Sequence, residues 1–321
     1  MPHSYSQLLQ IIEHSIKSNP FKGKPENLYA PLNYILGLGG KRIRPVLALM
    51  SAELFSDSIE NAIPAAMTVE LFHNFSLIHD DIMDKAPLRR GKSTVHTKWD
   101  GPTAILSGDL MLVKSYEMLL RCEQKYWPSL LRIFNKTASE VCDGQQMDMN
   151  FETQESVSES DYLVMIKLKT SVLLGCSLMM GAIVADADDS NCTELYNFGV
   201  NLGMGFQLMD DYLDAFGTPE LVGKQPGGDI LSAKKTVMFI HTQKHEPNKL
   251  KSIVEDSSLT NQIKIESAKS LFIQTGADEY LKNIATNYFN QAVQNLKHIS
   301  VNDFRKLELE KLLVYLQTRT K

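Results

Sequence analysis

Two short carboxylate runs could carry chemistry: His79-Asp80-Asp81-Ile82-Met83-Asp84, and Gln207-Leu208-Met209-Asp210-Asp211-Tyr212-Leu213-Asp214. In each, aspartates fall at i, i+1 and i+4, so on a helix the first and last share a face and can converge on one ion. Carboxylate oxygens are hard ligands. They suit Mg²⁺, which takes one or two of them and completes its octahedron with water and phosphate. A single Asp-Asp-x-x-Asp is as readily a solvated acidic helix end. Two copies, each closing an apolar stretch (Ala65–Ile78 and Phe198–Phe206), resist that explanation, because carboxylates ending a buried helix are costly unless a cation neutralises them. Neither run has the glycine and terminal glutamate of an EF-hand loop.

Basic residues are interleaved with these runs. Gly39-Gly40-Lys41-Arg42-Ile43-Arg44-Pro45 sets cations beside flexible glycines, ahead of a helix that Pro45 can open. Pro87-Leu88-Arg89-Arg90-Gly91-Lys92 follows the first acidic run within a few residues. Lys169-Thr170, Lys224, Asp229 and Lys234-Lys235 extend the set. Arginine can grip phosphate with two parallel bonds and lysine acts as a point charge. Any one basic pair is more often solvated surface. Acids and bases gathered around one pocket would suit a diphosphate clamped through Mg²⁺ on one side and by direct cations on the other. Gly37-Leu38-Gly39-Gly40 fits neither a P-loop nor a dinucleotide fingerprint, and the histidines form no HExxH zinc pattern. His73 and His96 lie near the clusters, where a lone histidine is usually a hydrogen-bonded structural residue.

The elements that must position these groups read as helices. Apolar residues recur at three- and four-residue spacing over Tyr5–Ile16, Pro45–Leu54, Ile63–Met83, Ala104–Leu120, Ser129–Cys142 and Tyr162–Val184. The same spacing runs through Thr193–Phe216, Ile263–Thr275, Ala277–Leu296 and Val301–Gln317. No stretch alternates strictly, and no Asn-Gly or Asp-Gly turn joins apolar alternations. The expectation is an all-α protein, a single domain over residues 1–321, built as a bundle of about ten to thirteen helices. Ile63–Met83 and Ser171–Phe216 include helices apolar nearly all round, which belong in the middle of such a bundle.

Composition narrows the class. At 321 residues the chain can bury roughly three quarters of its unfolded surface. Net charge is −5 and the sequence pI about 5.9, which argues against a nucleic-acid or anionic-membrane binder. The four cysteines (Cys122, Cys142, Cys176, Cys192) have no CxxC spacing and read as free thiols of a reducing compartment. Met1 to Ser18 has no basic region leading into an apolar run, and Ser171–Ala185, 15 residues, is shorter than the roughly 20 a membrane span needs. These features set the expectation of a cytoplasmic protein without a membrane span.

Together the motifs resemble those of the trans-polyprenyl (isoprenyl) diphosphate synthase family, which includes the farnesyl and geranylgeranyl diphosphate synthases. The resemblance runs from about Gly40 to Lys235. Asp80–Asp84 with Arg89-Arg90, and Gly205-Phe206-Gln207 through Asp214, resemble the family's two aspartate-rich motifs. Gly40 to Pro45 matches its Gly-Lys-x-x-Arg-Pro element. The resemblance implies the isoprenoid synthase fold around a deep central cavity, a homodimer, and two substrates, isopentenyl diphosphate and an allylic prenyl diphosphate. It also implies Mg²⁺, three ions per active site, with Mn²⁺ as an alternative.

Residue by residue, it places Lys41, Arg44, His73 and Arg90 on the diphosphate of isopentenyl diphosphate. Asp80, Asp84 and Asp210 become metal ligands, with Asp81, Asp211 and Asp214 in support. Arg89, Lys169, Lys224 and Lys234 contact the allylic diphosphate, and Thr170 and Gln207 stabilise the developing cation. Gln145 and Asp148 match a further element near the metals, and Asp229 an outer acid of the second cluster. The chemistry implied is ionisation, condensation and elimination in a dry cavity, with no protein nucleophile.

Chain length would be set one turn below the first motif, where Ser76 lies four residues before Asp80 and Phe75 roughly 7.5 Å of helix rise from it. One aromatic and one small residue there, without a two-residue insertion in the first motif, resemble short-chain geranylgeranyl diphosphate synthases. The expected product has twenty carbons, with fifteen (farnesyl) as the runner-up. A class I terpene cyclase would carry Asn, Ser or Thr and Glu in its second metal motif and would not need Lys41 and Arg44. A regulatory synthase subunit would usually have lost one aspartate motif, and an ordinary helical interaction protein would leave the carboxylates unexplained.

Overall fold

Where the sequence spaces apolar residues by three and four, the chain is helical, and the computed structural model, which describes residues 2–218 and 226–318, is all-α. It divides into two compact units. One comprises Met1–Lys136, Gly175–Tyr196 and Ile299–Leu309, the other Thr137–Leu174, Asn197–His298 and Glu310–Lys321.

The first unit holds α1 (Tyr5–Ser18), α2 (Glu26–Gly37), α3 (Ile43–Phe55), α4 (Ile63–Met83), α5 (Val95–Lys98) and α6 (Gly101–Leu119). α1 opens on a reciprocal cap between Ser4 and Gln7. α4 carries Pro64 in its first turn, where a missing N–H costs nothing, and ends on Asp84. It packs against α6 and α3, and Leu71 and Ile78 join Leu32, Ile35, Leu36 and Met111 in a buried cluster. α6 starts cleanly because the Asp100 carboxylate accepts the Thr103 amide at 2.7 Å.

α2 was not expected from periodicity. Its twelve residues include Pro31, which removes a helix donor and breaks the apolar pattern. A minimal hairpin also appears, Leu88–Arg89 paired antiparallel with Lys92–Ser93. Its turn residues Arg90 and Gly91 both have positive φ, 53° and 71°, as a primed hairpin turn requires. Strands of two residues cannot alternate, so the sequence gives no strand signal there.

α7 (Trp127–Thr153) and α10 (Asp189–Phe216) carry residues of both units. The second unit also contains α8 (Glu159–Ile166), a π turn at Lys167–Ser171 and the first residues of α9 (Val172–Ile183). It continues through α11 (Gly228–Leu231), α12 (Val237–His245), α13 (Pro247–Glu255), α14 (Asn261–Thr275) and α15 (Ala277–His298); α16 (Asp303–Gln317) follows. The helical run Glu159–Ile183 is long and apolar enough to cross a membrane by length and composition, yet 61% of its most apolar window is buried inside the protein, as in a core helix.

Candidate active site

In the first unit the chain must turn sharply from α2 into α3. It does so with Gly39 (φ 74°), Gly40 (φ 138°) and Arg42 (φ 48°) in left-handed conformations. For the non-glycine Arg42 this backbone is uncommon and must be held by its surroundings. Arg42 is 4% exposed; its guanidinium donates to Glu70 at 2.6 Å, to Glu13 at 2.9 Å and to the Leu36 carbonyl. Asn74 donates to the same Glu70 oxygen at 2.8 Å, so the buried ion pair is fully braced.

This turn presents Lys41, which is exposed, and leads Arg44 into the first turn of α3. Arg44 lies 3.1 Å from Nε2 of His73 on α4. A side chain on Gly40 would meet the Arg90 guanidinium at 2.7 Å, so glycine there leaves room for Arg90 from the hairpin. Arg44, His73 and Arg90 are thus brought together.

Their electrostatics point one way. Burial, opposed by Glu70 and aided by Arg90, holds Arg44 down to about 10. Burial, then Arg44, Arg90, Arg89 and Arg42, push His73 well below its usual value. Burial and Arg42 likewise lower Arg90. Positive charge is gathered here beyond what neighbouring carboxylates neutralise, which is the state of a site shaped for an anion.

One consequence concerns pH. Folded His73 stays neutral below 6.5, where the unfolded chain takes up a proton. The unfolded state therefore gains on acidification, and stability falls as pH drops through about 6.5. His73→Gln should flatten the fall in melting temperature between about pH 7.5 and 5. An unchanged slope would mean that His73 does not carry this acid sensitivity.

The first carboxylate cluster closes α4. Asp81 is 1% exposed and takes one edge of the Arg89 guanidinium, whose Nε sits 2.9 and 2.8 Å from its two oxygens and whose Nη2 sits 2.7 Å from Oδ1. The same Nη2 reaches Asp80 at 3.5 Å. Burial would lower Arg89, but Asp81, Asp80 and Asp84 raise it. Arg89, assigned to the allylic diphosphate by resemblance, is therefore seated on the carboxylates themselves. Asp80 is half-buried, and Asp84, at the cap, is exposed.

One turn deeper, Phe75 meets His79 edge-on (4.8 Å) and Phe72 at a tilt (5.5 Å), and Phe72 in turn meets Phe134 edge-on at 5.4 Å. Ser76 turns its hydroxyl back onto the His73 carbonyl at 2.8 Å. Gly108 of α6 makes room for His79, since a Cβ there would lie 2.3 Å from the imidazole.

In the second unit α10 ends in Asp210, Asp211 and Asp214, of which the last two are each 3% exposed. Asp211 accepts from the Tyr162 hydroxyl and from Gln207 Nε2 at 3.2 Å; Asp214 accepts the Asp229 amide at 2.9 Å. Burial pushes Asp211 up to about 7, with Lys234 opposing and Asp229 adding to the rise. Burial would lower Lys234, but Asp229, Asp211, Asp148 and Asp214 together raise it above its usual range.

The π turn carries Lys169 and Thr170. Lys169 Nζ is 2.5 Å from Asp148 of α7, and the Thr170 hydroxyl donates to Gln207 at 3.3 Å. Two glycines let the turn sit close: a Cβ on Gly144 would lie 2.3 Å from the Lys169 amide, and one on Gly203 would lie 2.8 Å from Ser171. Lys169, Thr170, Gln207, Asp148, Asp211, Asp229 and Lys234 thus form one connected constellation, while Lys224 lies outside the described residues.

Among the described residues no group of three or more His, Cys, Asp or Glu side chains forms a preformed metal cage. Mg²⁺ does not need one, because it binds through one or two carboxylates with water and substrate phosphate. The donors at the ends of α4 and α10 are carboxylate oxygens, some of them buried as Asp81, Asp211 and Asp214 are, and such oxygens fit a hard divalent cation.

The profile of a family described as Polyprenyl synthetase matches residues 25–272. The chain belongs to this family. It is 38% identical over 304 residues to a geranylgeranyl pyrophosphate synthase of Geoglobus acetivorans, covering 94% of each chain. It is 38% identical over 275 residues to the geranylgeranyl diphosphate synthase of Methanosarcina mazei, covering 85% of this chain and 84% of that one. A crystal structure of a geranylgeranyl pyrophosphate synthase superposes with a TM-score of 0.95 at 43% identity, covering both chains completely. The activity that comes with membership is prenyl transfer.

Sequence reasoning missed two supports of this polyprenyl synthetase's site. Arg42 sits inside the Gly-Lys-x-x-Arg-Pro element at a position the pattern leaves open, and only its burial reveals its work. Tyr162 lies 49 residues from Asp211, and nothing local announces their hydrogen bond. The signal for Arg42 was a third cation in a four-residue run, too many for one anion to need.

Proposed function

We propose that this polyprenyl synthetase condenses isopentenyl diphosphate head to tail with an allylic diphosphate to give geranylgeranyl diphosphate, with Mg²⁺ as its cofactor. The observation that carries this reading is the gathering of Arg44 and Arg90, both with lowered proton affinity, around a neutral His73, in a chain that also closes two apolar helices on carboxylates. The relatives named for geranylgeranyl products support the chain length.

Lys41, Arg44, His73 and Arg90 hold the homoallylic diphosphate, with neutral His73 accepting from Arg44 and so keeping its second nitrogen free to donate. Asp80, Asp84 and Asp210 are the metal ligands. Arg89 keeps Asp81 paired, and Tyr162 and Gln207 fix Asp211. Lys169, Lys234 and Lys224 offer positive charge to the allylic diphosphate. Bound Mg²⁺ would supply the remaining neutralisation of the leaving group.

The allylic C–O bond breaks and its electron pair leaves with the diphosphate. The double bond of isopentenyl diphosphate then forms the new C–C bond, and a proton passes to the departed diphosphate as the new double bond closes. Thr170 and Gln207 present oxygen dipoles to the developing cation. Apolar helices keep out water, which would quench it.

The chain works as one domain of a cytoplasmic homodimer. Exposed Leu106, Val113 and Leu120, spaced by seven along and just beyond α6, support a second copy as the partner. Purified protein with Mg²⁺, isopentenyl diphosphate and dimethylallyl, geranyl or farnesyl diphosphate should yield a twenty-carbon product by mass spectrometry, abolished by chelator. Hydrocarbon release from the allylic substrate alone would point to a cyclase instead, and a monomer mass in solution would remove the homodimer.

The floor of the tail site is tested separately. Phe75→Ala should lengthen the product by about one or two five-carbon units, because Phe72 and Phe134 stand behind it as a second aromatic layer. Ser76→Phe should shorten it. Unchanged profiles in both variants would place the floor elsewhere.

A further inference from the structure

α1 lies before residue 25, where the family match begins, and the site assignments above leave it without a role. We propose that α1 is a positioning element for the isopentenyl diphosphate site, acting through Tyr5 and Glu13; this rests on the assignment of Lys41 and Arg44 to that diphosphate.

The helix is firmly seated. Leu8 and Ile12, four apart on one face, are fully buried, and α1 packs against α3 and α4. From that seat it reaches the left-handed turn at two points. At its first residue, the Tyr5 hydroxyl donates to the Lys41 carbonyl. Two turns later Glu13 accepts from Nε of Arg42 at 2.9 Å.

The turn needs such holding. Gly39, Gly40 and Arg42 all have positive φ, so the backbone has no regular hydrogen-bonding pattern of its own to fall back on. From the inside Arg42 is tied to Glu70 and to the Leu36 carbonyl. From the outside α1 ties the turn down through Tyr5 and Glu13. Lys41 and Arg44 flank Arg42 in sequence, so a rotation of the peptide at Lys41 or of the Arg42 side chain re-aims the cations on either side. Arg42 also adds to the positive field on His73 and Arg90, and Glu13 is one of two carboxylates that balance it.

Tyr5 and Glu13 touch no substrate in this scheme. They fix the conformation that the diphosphate selects, so their loss should weaken one substrate and spare the other. The experiment is steady-state kinetics, in saturating Mg²⁺, of Tyr5→Phe, Glu13→Ala, the double variant and, in parallel, Arg44→Gln. Leu8 and Ile12 are retained and alanine suits a helix, so the variants keep α1.

The double variant is expected to raise KM for isopentenyl diphosphate about 5- to 10-fold, with kcat and the KM of the allylic diphosphate within about twofold of the parent. Glu13→Gln, which keeps an acceptor for Arg42, should recover part of the loss. Unchanged KM values would overturn the inference, as would both KM values rising together with a lowered melting temperature, the mark of general loosening. Arg44→Gln should raise the same KM more than about tenfold. If it does not, the diphosphate assignment itself falls and the role of α1 with it. If it does while the α1 variants behave as the parent, only the role of α1 is lost.

Discussion

Asp80→Ala should lower kcat by about a hundred- to a thousandfold, the range seen when a preorganised electrostatic partner of a transition state is removed. The reasoning starts from how the first cluster divides its charge. Asp81 is buried and takes three contacts from Arg89, so its negative charge is already matched inside the protein. Asp80 meets the same guanidinium at only 3.5 Å and is half-buried. Asp84 is exposed one turn further on. Asp80 and Asp84, four apart at the end of α4, share the face on which two carboxylates can converge on a cation.

Asp81→Asn is expected to behave differently. It unseats Arg89 and lowers stability, because a buried guanidinium loses its anion. Mg²⁺ titrations separate the two. Asp80→Ala should need more metal for half-maximal activity at little cost in melting temperature, whereas Asp81→Asn should show the reverse. A kcat for Asp80→Ala within about tenfold of the parent would remove Asp80 from the ligand set.

How far the site could be read in advance depended on whether its determinants were local. α4 was legible to the residue, Ile63 to Met83, because one helix carries both the apolar run and the carboxylates that end it. The second cluster was legible for the same reason. α7 extends eleven residues past the Cys142 end of its apolar periodicity, through a polar stretch in which Gly144 and Asp148 do their work against the π turn. Nothing in that stretch repeats at helical spacing strongly enough to mark it. The Arg89–Asp81 pairing depends on a two-residue hairpin, and the π turn on glycines 25 and more residues distant in sequence. Each is a fact of packing between elements, which periodicity within one element cannot encode. α2 failed for a different reason: Pro31 contradicts the local rule, and tertiary burial overrides it.

Lys234 is the other residue whose removal should be felt most, and first in the metal-free protein. It is a buried ammonium raised by Asp229, Asp211, Asp148 and Asp214, while Asp148 has Lys169 as a second partner. Lys234→Ala leaves the remaining carboxylates facing one another in low dielectric. Breaking a buried ionic arrangement from one side costs about 3–5 kcal/mol, which for a chain of this size corresponds to a fall in melting temperature of about 10 °C.

The pH dependence has a definite sign. Asp211 in the folded parent titrates at about 7, above its unfolded value of 3.8, so its proton stabilises the fold at acidic pH and that contribution is lost as pH rises through about 7. Without Lys234, which lowers it, Asp211 should hold its proton to higher pH still. Bound Mg²⁺ favours the ionised carboxylates and replaces the missing positive charge, so it should raise the variant's melting temperature more than the parent's, and most clearly above pH 7. Thermal unfolding of both proteins at about pH 6 and 8, with chelator and with Mg²⁺, measures all of this at once. Equal melting temperatures in chelator would mean that the second cluster does not depend on Lys234 for its neutralisation. A variant destabilised but indifferent to Mg²⁺ would separate the fold's need for this lysine from the metal's place beside it.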